Sequence, residues 1–380
     1  MGKAAHASAR GKGAGAPRKV MTRSKRKARR VRNLILLVLE ALVLVVLVFA
    51  LRTVVMPMTR MGRLELNDNE LLAGMNEGVA DSETLKNFTT IALFGVDSRE
   101  GALREATLSD VIMICAINNK TGEVRLCSVY RDTFLNVGDY YTKANAAYSW
   151  GGPEQAITML NKNLDLNITD FATVGFAALT DIINELGGVD IDVAEEAVEH
   201  LNNYQWTMAM ERNGLPSLEA TQAGVHYTPL THGGMQTLDG LQATAYCRVR
   251  YIAGGDVTRA QHQREVLQAM LAKAKQNPAK VAVVAEKLFD EVYTSYSLSE
   301  ALGMATGVLK YEFAGTAGFP NQDMLTMGMI GPEGSCIVPM SLESNVQWLH
   351  AVLYEQEDYQ VSSTVKEYSN MVAEKTAPYL

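Results

Sequence analysis

Two groups of charged residues in this 380-residue chain have the types and spacing of a phosphate-handling site. The first is Asp97, Asp110 and Arg131, each at the edge of an apolar run. Residues 90–96 read as one strand and 111–117 and 123–130 as two more, with Asn118-Asn119-Lys120-Thr121-Gly122 as a hairpin turn between the latter two. If Asn118 opposes Glu123, opposed residue numbers sum to 241, and so do 110 and 131. Asp110 and Arg131 then face each other at the sheet end where Asp97 closes the first strand. Loops at such an end are where α/β folds bind ligands. A salt bridge tying off the hairpin explains the same residues equally well.

The second group is Arg248-Val249-Arg250, Gly254-Gly255-Asp256 and Arg259-Ala260-Gln261-His262-Gln263. In a helix over 258–276, positions 259, 262, 263, 266 and 270 share one face, so Arg259, His262 and Gln263 continue the apolar stripe of Val266 and Met270. A charge on a core-facing stripe needs a partner. Asp256 can cap that helix or pair with Arg259. Arg248 and Arg250, if extended, project beside them, and several guanidinium forks in one place match the oxygens of phosphate or diphosphate. Nearby carboxylates with oxygen-only ligands point to Mg²⁺ or Mn²⁺ rather than zinc. Lys143 and Asn145, ahead of Gly151-Gly152-Pro153, add a candidate point charge where backbone can approach a ligand closely.

The elements that hold these residues follow from pattern. The strands are apolar on both faces, which calls for helices on both sides and hence a three-layer α/β/α sandwich around a central sheet. Helices are expected over 153–164, 176–186, 258–276, 280–292, 298–310 and 342–355. The stretch 205–235, rich in Gly, Thr and Met, reads as an irregular, flexible lid, and 356–380 as a loose tail. Cys115, Cys127 and Cys247 fall in apolar segments and read as buried thiols, because a Cys115–Cys127 bridge needs opposed numbers summing near 242. His226, His232 and His350 show no ligand spacing, and there is no GxSxG, Walker or GxGxxG motif.

Charge is distributed unevenly. Residues 1–33 hold twelve Lys/Arg and no acid, leaving 23 basic against all 42 acidic residues in the remainder, a net −19. That excess argues against nucleic acid as the partner of the main domain. An apolar run over 34–51, extendable to 56, follows the basic start and has the length of one bilayer span. The basic flank predicts a cytoplasmic N-terminus and an exterior main domain; a cleaved signal peptide is the competing reading. The expected organisation is a basic tail 1–33, a transmembrane helix 34–56, a stalk 57–87, a catalytic domain 88–355 and the tail 356–380.

Taken together, the motifs resemble the LytR-CpsA-Psr family of membrane-anchored phosphotransferases of bacterial cell envelopes. The matching runs are Leu93-Phe94-Gly95-Val96-Asp97-Ser98-Arg99, Ser109-Asp110, Ser128-Val129-Tyr130-Arg131-Asp132-Thr133, Lys143-Ala144-Asn145-Ala146-Ala147-Tyr148, Leu186-Gly187-Gly188-Val189-Asp190, and Arg248-Val249-Arg250 through Asp256, Arg259 and Gln263. The resemblance implies an α/β/α fold with a mixed central sheet and an apolar pocket for a polyprenyl chain, the diphosphate lying at its mouth. It implies transfer of a glycopolymer, such as teichoic acid or capsule, from an undecaprenyl-diphosphate carrier to a peptidoglycan hydroxyl at the plasma membrane. Asp97 and Asp110 would hold Mg²⁺ (or Mn²⁺). Arg131, Arg248, Arg250 and Arg259 would bind the diphosphate, helped by Arg99, Lys143 and Gln263, with Asp256 supporting the arginines and Arg131 and Arg250 also serving the reaction.

Four positions depart from the family pattern. Leu108 stands where Arg commonly precedes Ser-Asp, His262 replaces the usual Arg, Gly175 stands where Asn is frequent, and Tyr130 where Pro is frequent. The rival functions are a lipid-diphosphate hydrolase using the same residues and a non-catalytic lipid-diphosphate sensor of envelope assembly.

Overall fold

The computed structural model of the chain describes residues 74–97, 103, 108–212 and 227–380. The basic tail, the apolar run 34–56, residues 57–73 and Arg99 lie outside them. Among the described residues no helix is long and apolar enough to cross a membrane.

In chain order the elements are α1 (Glu83–Lys86), β1 (Phe88–Val96), β2 (Ser109–Asn118), β3 (Glu123–Val129), β4 (Phe134–Asn136), β5 (Tyr141–Lys143), α2 (Ala146–Leu164), β6 (Asp170–Gly175), α3 (Phe176–Leu186), β7 (Val189–Val193) and α4 (Glu195–Arg212). They continue with β8 (Gly234–Leu238), α5 (Gly240–Tyr246), α6 (Asp256–Gln276), α7 (Pro278–Glu291), β9 (Val292–Thr294), α8 (Leu298–Thr306), β10 (Glu312–Phe319), β11 (Leu325–Met329), β12 (Ser335–Pro339), α9 (Leu342–Tyr354) and α10 (Ser363–Thr376). Six strands make a mixed sheet in the order β10-β3-β2-β1-β6-β9. Within it β2 is antiparallel to β1 and β3, whereas β6 runs parallel to β1 and β10 parallel to β3.

Strand alternation divides the core. Phe94, Ile112, Ile114 and Cys127 face α2 and α9, where Tyr148, Ile157, Leu160, Val346 and Leu349 complete a buried cluster. Ile91, Met113, Cys115 and Leu126 face the other way, packed by Leu267 of α6 and Met304 of α8. Helices therefore cover both sides, as runs of apolar residues on both strand faces require. Beyond the β6 side, α3, the antiparallel β7–β8 pair, α4 and α5 bury a further cluster around Ile183, Ile191, Leu201, Leu238 and Val249.

The β2–β3 register sums to 241 throughout, from Met113↔Ser128 to Ile117↔Val124. Cys115 thus opposes Leu126, and Cys127 opposes Ile114, so the two thiols lie on opposite faces of the sheet. All four cysteines are free and buried.

Several expectations need correction. The lid reading of 205–235 fails at both ends: α4 runs on to Arg212, burying Leu201 and Met208, and residues 234–238 form β8 against β7. Residues 213–226 lie outside the described ones. Met208 and Met210 sit on the buried face of α4, and Gly234 and Met235 in β8. The stalk reading fails for residues 74–87, where Met75, Val79 and Leu85 are buried in the domain. The tail is not loose either. Helix α10, capped by the Ser362 hydroxyl accepting from Val365 N at 3.2 Å, buries Val365 and Val372 against the core. The Pro153 helix begins earlier, at Ala146, and breaks at Gly151-Gly152, where Gly152 adopts φ 63°.

Candidate functional site

One end of the sheet gathers the site. Strands β1 and β6 end in step, Val96 opposite Gly175, so Asp97 and Phe176 emerge side by side. The β1–β2 ladder pairs Gly95 with Val111 and Val96 with Ser109, leaving Asp110 as the extra residue of a β-bulge. A bulge turns a side chain out of the regular alternation, and here that side chain is a carboxylate. The bulge needs Gly95, since a Cβ there would lie 2.7 Å from Val111 Cγ2. Arg131 leaves the end of β3 beside it, and its Nη1 hydrogen-bonds and ion-pairs with Asp110 Oδ1. The pairing expected from the hairpin register is therefore present.

The other side comes from the turn out of α5 and the start of α6. Val249 is buried, and Arg248 and Arg250 flank it toward the same cavity. Gly254 and Gly255, at φ 89° and 55°, make the tight turn into α6. Asp256 then lies one turn before Arg259, whose Nη2 sits 2.9 Å from Asp256 Oδ1. A cavity of about 210 Å³ results, lined by Asp97, Asp110, Arg131, Arg248, Arg250 and Arg259 together with Gln263, Phe176, Tyr204 and Cys247.

Carboxylates hold the guanidinium groups without saturating them. Arg131 Nε lies 3.6 Å from both Asp132 and Asp256. Arg248 is 3.9 Å from Asp97 and 3.9 Å from Glu211, and its guanidinium lies over the rings of Phe176 (5.0 Å) and Tyr204 (5.4 Å). Arg250 donates to the Tyr251 hydroxyl at 3.1 Å and stacks on that ring. Gln263 Nε2 donates to the Cys247 carbonyl at 3.2 Å. Lys143 reaches the network indirectly, 3.2 Å from Asp132 Oδ1, and does not line the cavity. Buried polar atoms without a hydrogen-bond partner concentrate at the start of β2, the end of β3 and the first half of α6, Arg131 Nε and Arg259 Nε among them. Such atoms are costly unless a ligand or water completes them.

Proton affinities follow from this packing. Burial works to lower Arg131, but Asp256, Asp110 and Asp132 together push it above its ordinary value. Burial lifts Asp256 against the pull of Arg259 and Arg131. Burial lowers Arg259, which nevertheless stays cationic. The cavity is thus a preorganised cationic pocket with two carboxylates, Asp97 and Asp110, in its wall.

Sequence reasoning missed Asp132, Glu211, Phe176 and Tyr204. Phe176 was findable, because a helix starting where β6 ends beside β1 must begin at this sheet end; Glu211 was hidden in the stretch read as a lid, and Tyr204 immediately precedes that stretch. Conversely, His262 does not line the cavity and stacks on Tyr246 at 4.0 Å. Leu108 is exposed. The space at the arginines suits a headgroup, being below the ~300–1,000 Å³ of pockets that enclose drug-sized ligands. A second cavity of about 630 Å³ opens at the opposite sheet end, between the β2–β3 turn and α8, walled by Ile117, Tyr296, Met304 and Tyr311. Between the two cavities lies the apolar layer of Met113, Cys115 and Leu267.

Comparison with known proteins gives a consistent picture. Residues 66–317 match the LytR_cpsA_psr family. The polyisoprenyl-teichoic acid–peptidoglycan teichoic acid transferase TagT of Bacillus subtilis is 27% identical over 224 residues, covering 58% of this chain and 63% of that protein. A probable cell wall biosynthesis protein, LcpB of Corynebacterium glutamicum, is 30% identical over 199 residues, 49% of this chain and 42% of that protein. The matches thus span less than two thirds of either relative. Among solved structures, TagT with bound octaprenyl pyrophosphate lipid superposes with TM-score 0.51 at 21% identity, over 72% of this chain and 92% of that one. TagT bound to LIIa-WTA gives TM-score 0.57 at 21% identity, over 76% and 98%. These structures share the mixed α/β architecture.

Proposed function

The chain belongs to the LytR-CpsA-Psr family, and on that premise we propose that it transfers a glycopolymer from an undecaprenyl-diphosphate carrier to a hydroxyl of the cell wall. The observation that carries this reading is the convergence of Arg131, Arg248, Arg250 and Arg259, from three separate segments, on one cavity that also contains Asp97 and Asp110. The TagT structure with octaprenyl pyrophosphate supports a lipid diphosphate as the ligand class. In this reading the run 34–56 anchors the chain in the bacterial plasma membrane, with its N-terminus inside and the described domain outside.

The diphosphate lies among the arginines, and the prenyl chain follows the apolar layer between the sheet and helices α6 and α8 toward the second cavity. The acceptor hydroxyl oxygen attacks the phosphorus bonded to the polymer. A new P–O bond forms to the acceptor, the P–O bond to undecaprenyl phosphate breaks, and the hydroxyl proton passes to a carboxylate of the site. Negative charge grows on the non-bridging and leaving oxygens, where fixed guanidinium donors stabilise it. Phe176 and Tyr204 keep Arg248 in place from either side.

Two aspartates in the cavity wall fit Mg²⁺ or Mn²⁺ held jointly with substrate oxygens, since Mg²⁺ is usually bound by one or two carboxylates plus phosphates. Among the described residues no cluster of three or more His, Cys, Asp or Glu forms a cage of its own. When bound, the ion would neutralise diphosphate charge and draw Asp97 and Asp110 from their arginine partners.

The test is to incubate the full chain and Mg²⁺ with a polyprenyl-diphosphate-linked glycan, with and without peptidoglycan oligomers. Transfer to the oligomer, lost on chelation, is expected. Free phosphorylated glycan formed at equal rate in both arms identifies a hydrolase, and tight binding without turnover identifies a sensor.

A further inference from the structure

Behind the arginine cavity, on the face of β3 that meets α6, lies a second polar cluster that the proposed reaction does not use. Arg264 of α6 is 7% exposed, and its Nε and Nη1 are buried without a hydrogen-bond partner. The hydroxyls of Tyr130 and Ser128 are buried and unpartnered too. These groups converge. Ser128 opposes Gly318 across the β3–β10 ladder, and the Tyr130 hydroxyl lies over that same glycine, where a Cβ would overlap it. Arg264 acts electrostatically on Tyr130. Ala260, one turn before Arg264, packs in a cluster with Tyr130 and Ile337, which holds the start of α6 against the phenol. The exposed side chain of Gln322 approaches the phenol from outside and stops short of a well-formed hydrogen bond.

The charge balance decides what fills this space. A buried guanidinium normally has a carboxylate beside it, because an uncompensated buried charge costs several kcal/mol. Arg264 has no ion pair among the described residues. The ionisable groups that sense it are Cys127, Tyr130 and Glu265. The first two are neutral at physiological pH, the thiol being pushed up to about 12 by burial. Glu265 is the adjacent residue on the helix, and adjacent helical side chains do not face each other. Its carboxylate accepts from the Tyr246 hydroxyl and from Gln261, each at 2.8 Å. A water molecule would relieve the missing hydrogen bonds but leave the charge. A small anion relieves both, and guanidinium, phenol and alcohol can all donate to it; the carboxylate that acts on Tyr130, Asp256, is held by Arg259 and Arg131.

We infer that Arg264, Tyr130 and Ser128 enclose a binding site for a small monovalent anion, chloride under physiological conditions. Tyr130 then gains a purpose in this chain: proline, frequent at that position in the family, would supply no donor. The site is separate from the arginine cavity, which is lined by none of these three residues, and it stands whether or not the chain is a transferase.

The full chain tests this by thermal unfolding in sodium chloride, sodium bromide and sodium gluconate at equal ionic strength. The two halides should raise the melting temperature over gluconate by roughly 2–4 °C, saturably, as binding to the native state alone requires. Arg264→Met should abolish the halide effect and melt higher than wild type in gluconate, because it removes an unpaired charge. Tyr130→Phe should weaken the halide response, and Arg248→Ala should retain it. Bromide-soaked crystals should show an anomalous peak between Arg264 and Tyr130. Equal melting of wild type in all three salts, a halide response that survives Arg264→Met, or bromide confined to the arginine cavity would each overturn the inference.

Discussion

Arg131 is the residue on which the site's charges meet. It contacts Asp110, Asp132 and Asp256, while Arg248 is fixed by Asp97, Glu211 and two aromatic rings. Positions held this firmly do not reorganise as charge develops on a phosphate, which is the source of their catalytic value. Arg131→Ala or Arg248→Ala should therefore lower turnover by about 10²–10³-fold, the ~2.7–4 kcal/mol typical of losing one such donor. The melting temperature should change little, because both side chains retain some solvent contact. Unimpaired transfer in either variant, measured with lipid-linked glycan, would remove the diphosphate assignment. Arg131→Lys should also fail to restore full rate, since an ammonium cannot reproduce a planar fork.

At the scale of elements, the bulge in β2 and the glycine turn before α6 do the positioning. Gly95→Ala would force a Cβ against Val111 and disturb the bulge that presents Asp110. The cost of such overpacking is about 1–3 kcal/mol. Melting should shift downward and divalent-ion dependence of turnover should weaken; a variant with wild-type values of both would show that Asp110 is placed by other means. The hairpin register was legible from Asn118–Gly122, because turn chemistry fixes pairing and pairing fixes which ends meet. The bulge was not, since skipping one residue changes no composition. Helix α4 was misread for a related reason: its polar and apolar residues mix, and only docking against β7 and α5 selects the buried stripe. Helix α10 was hidden because its stability comes from packing rather than from a strong stripe of its own.

Across the whole molecule, one buried carboxylate joins both ends of the described chain. Asp165, in a left-handed conformation with φ 53°, accepts from Asn76 Nδ2 at 2.6 Å and from Ser362 N at 2.7 Å. Asp165→Ala should thus loosen residues 74–87 and α10 together and destabilise by about 1–3 kcal/mol per donor left unpaired. Faster hydrogen exchange at both segments is the expected readout, and a change at only one would contradict the coupling. Close by, His350 is fully buried, stacked on Tyr359 at 3.5 Å with Nε2 3.0 Å from the Leu164 carbonyl. Burial lowers both His350 and His262 from 6.5. Below that pH the unfolded chain binds protons that the folded chain refuses, so stability is complete above about pH 6.5 and falls as pH drops beneath it. Denaturant midpoints at pH 5 and pH 7.5 should show this slope, and His350→Gln should reduce it, leaving the part due to His262.

The odd sum of the β2–β3 register has a chemical sequel. With a sheet between them, Cys115 and Cys127 are as isolated as thiols on two different molecules. Burial pushes Cys115, Cys127 and Cys247 up to about 12, so at pH 8 only about one in 10⁴ of each is a nucleophilic thiolate. A wandering oxidant finds little to react with there, and the folded chain should keep these three thiols reduced in aerated solution with no guardian reductant.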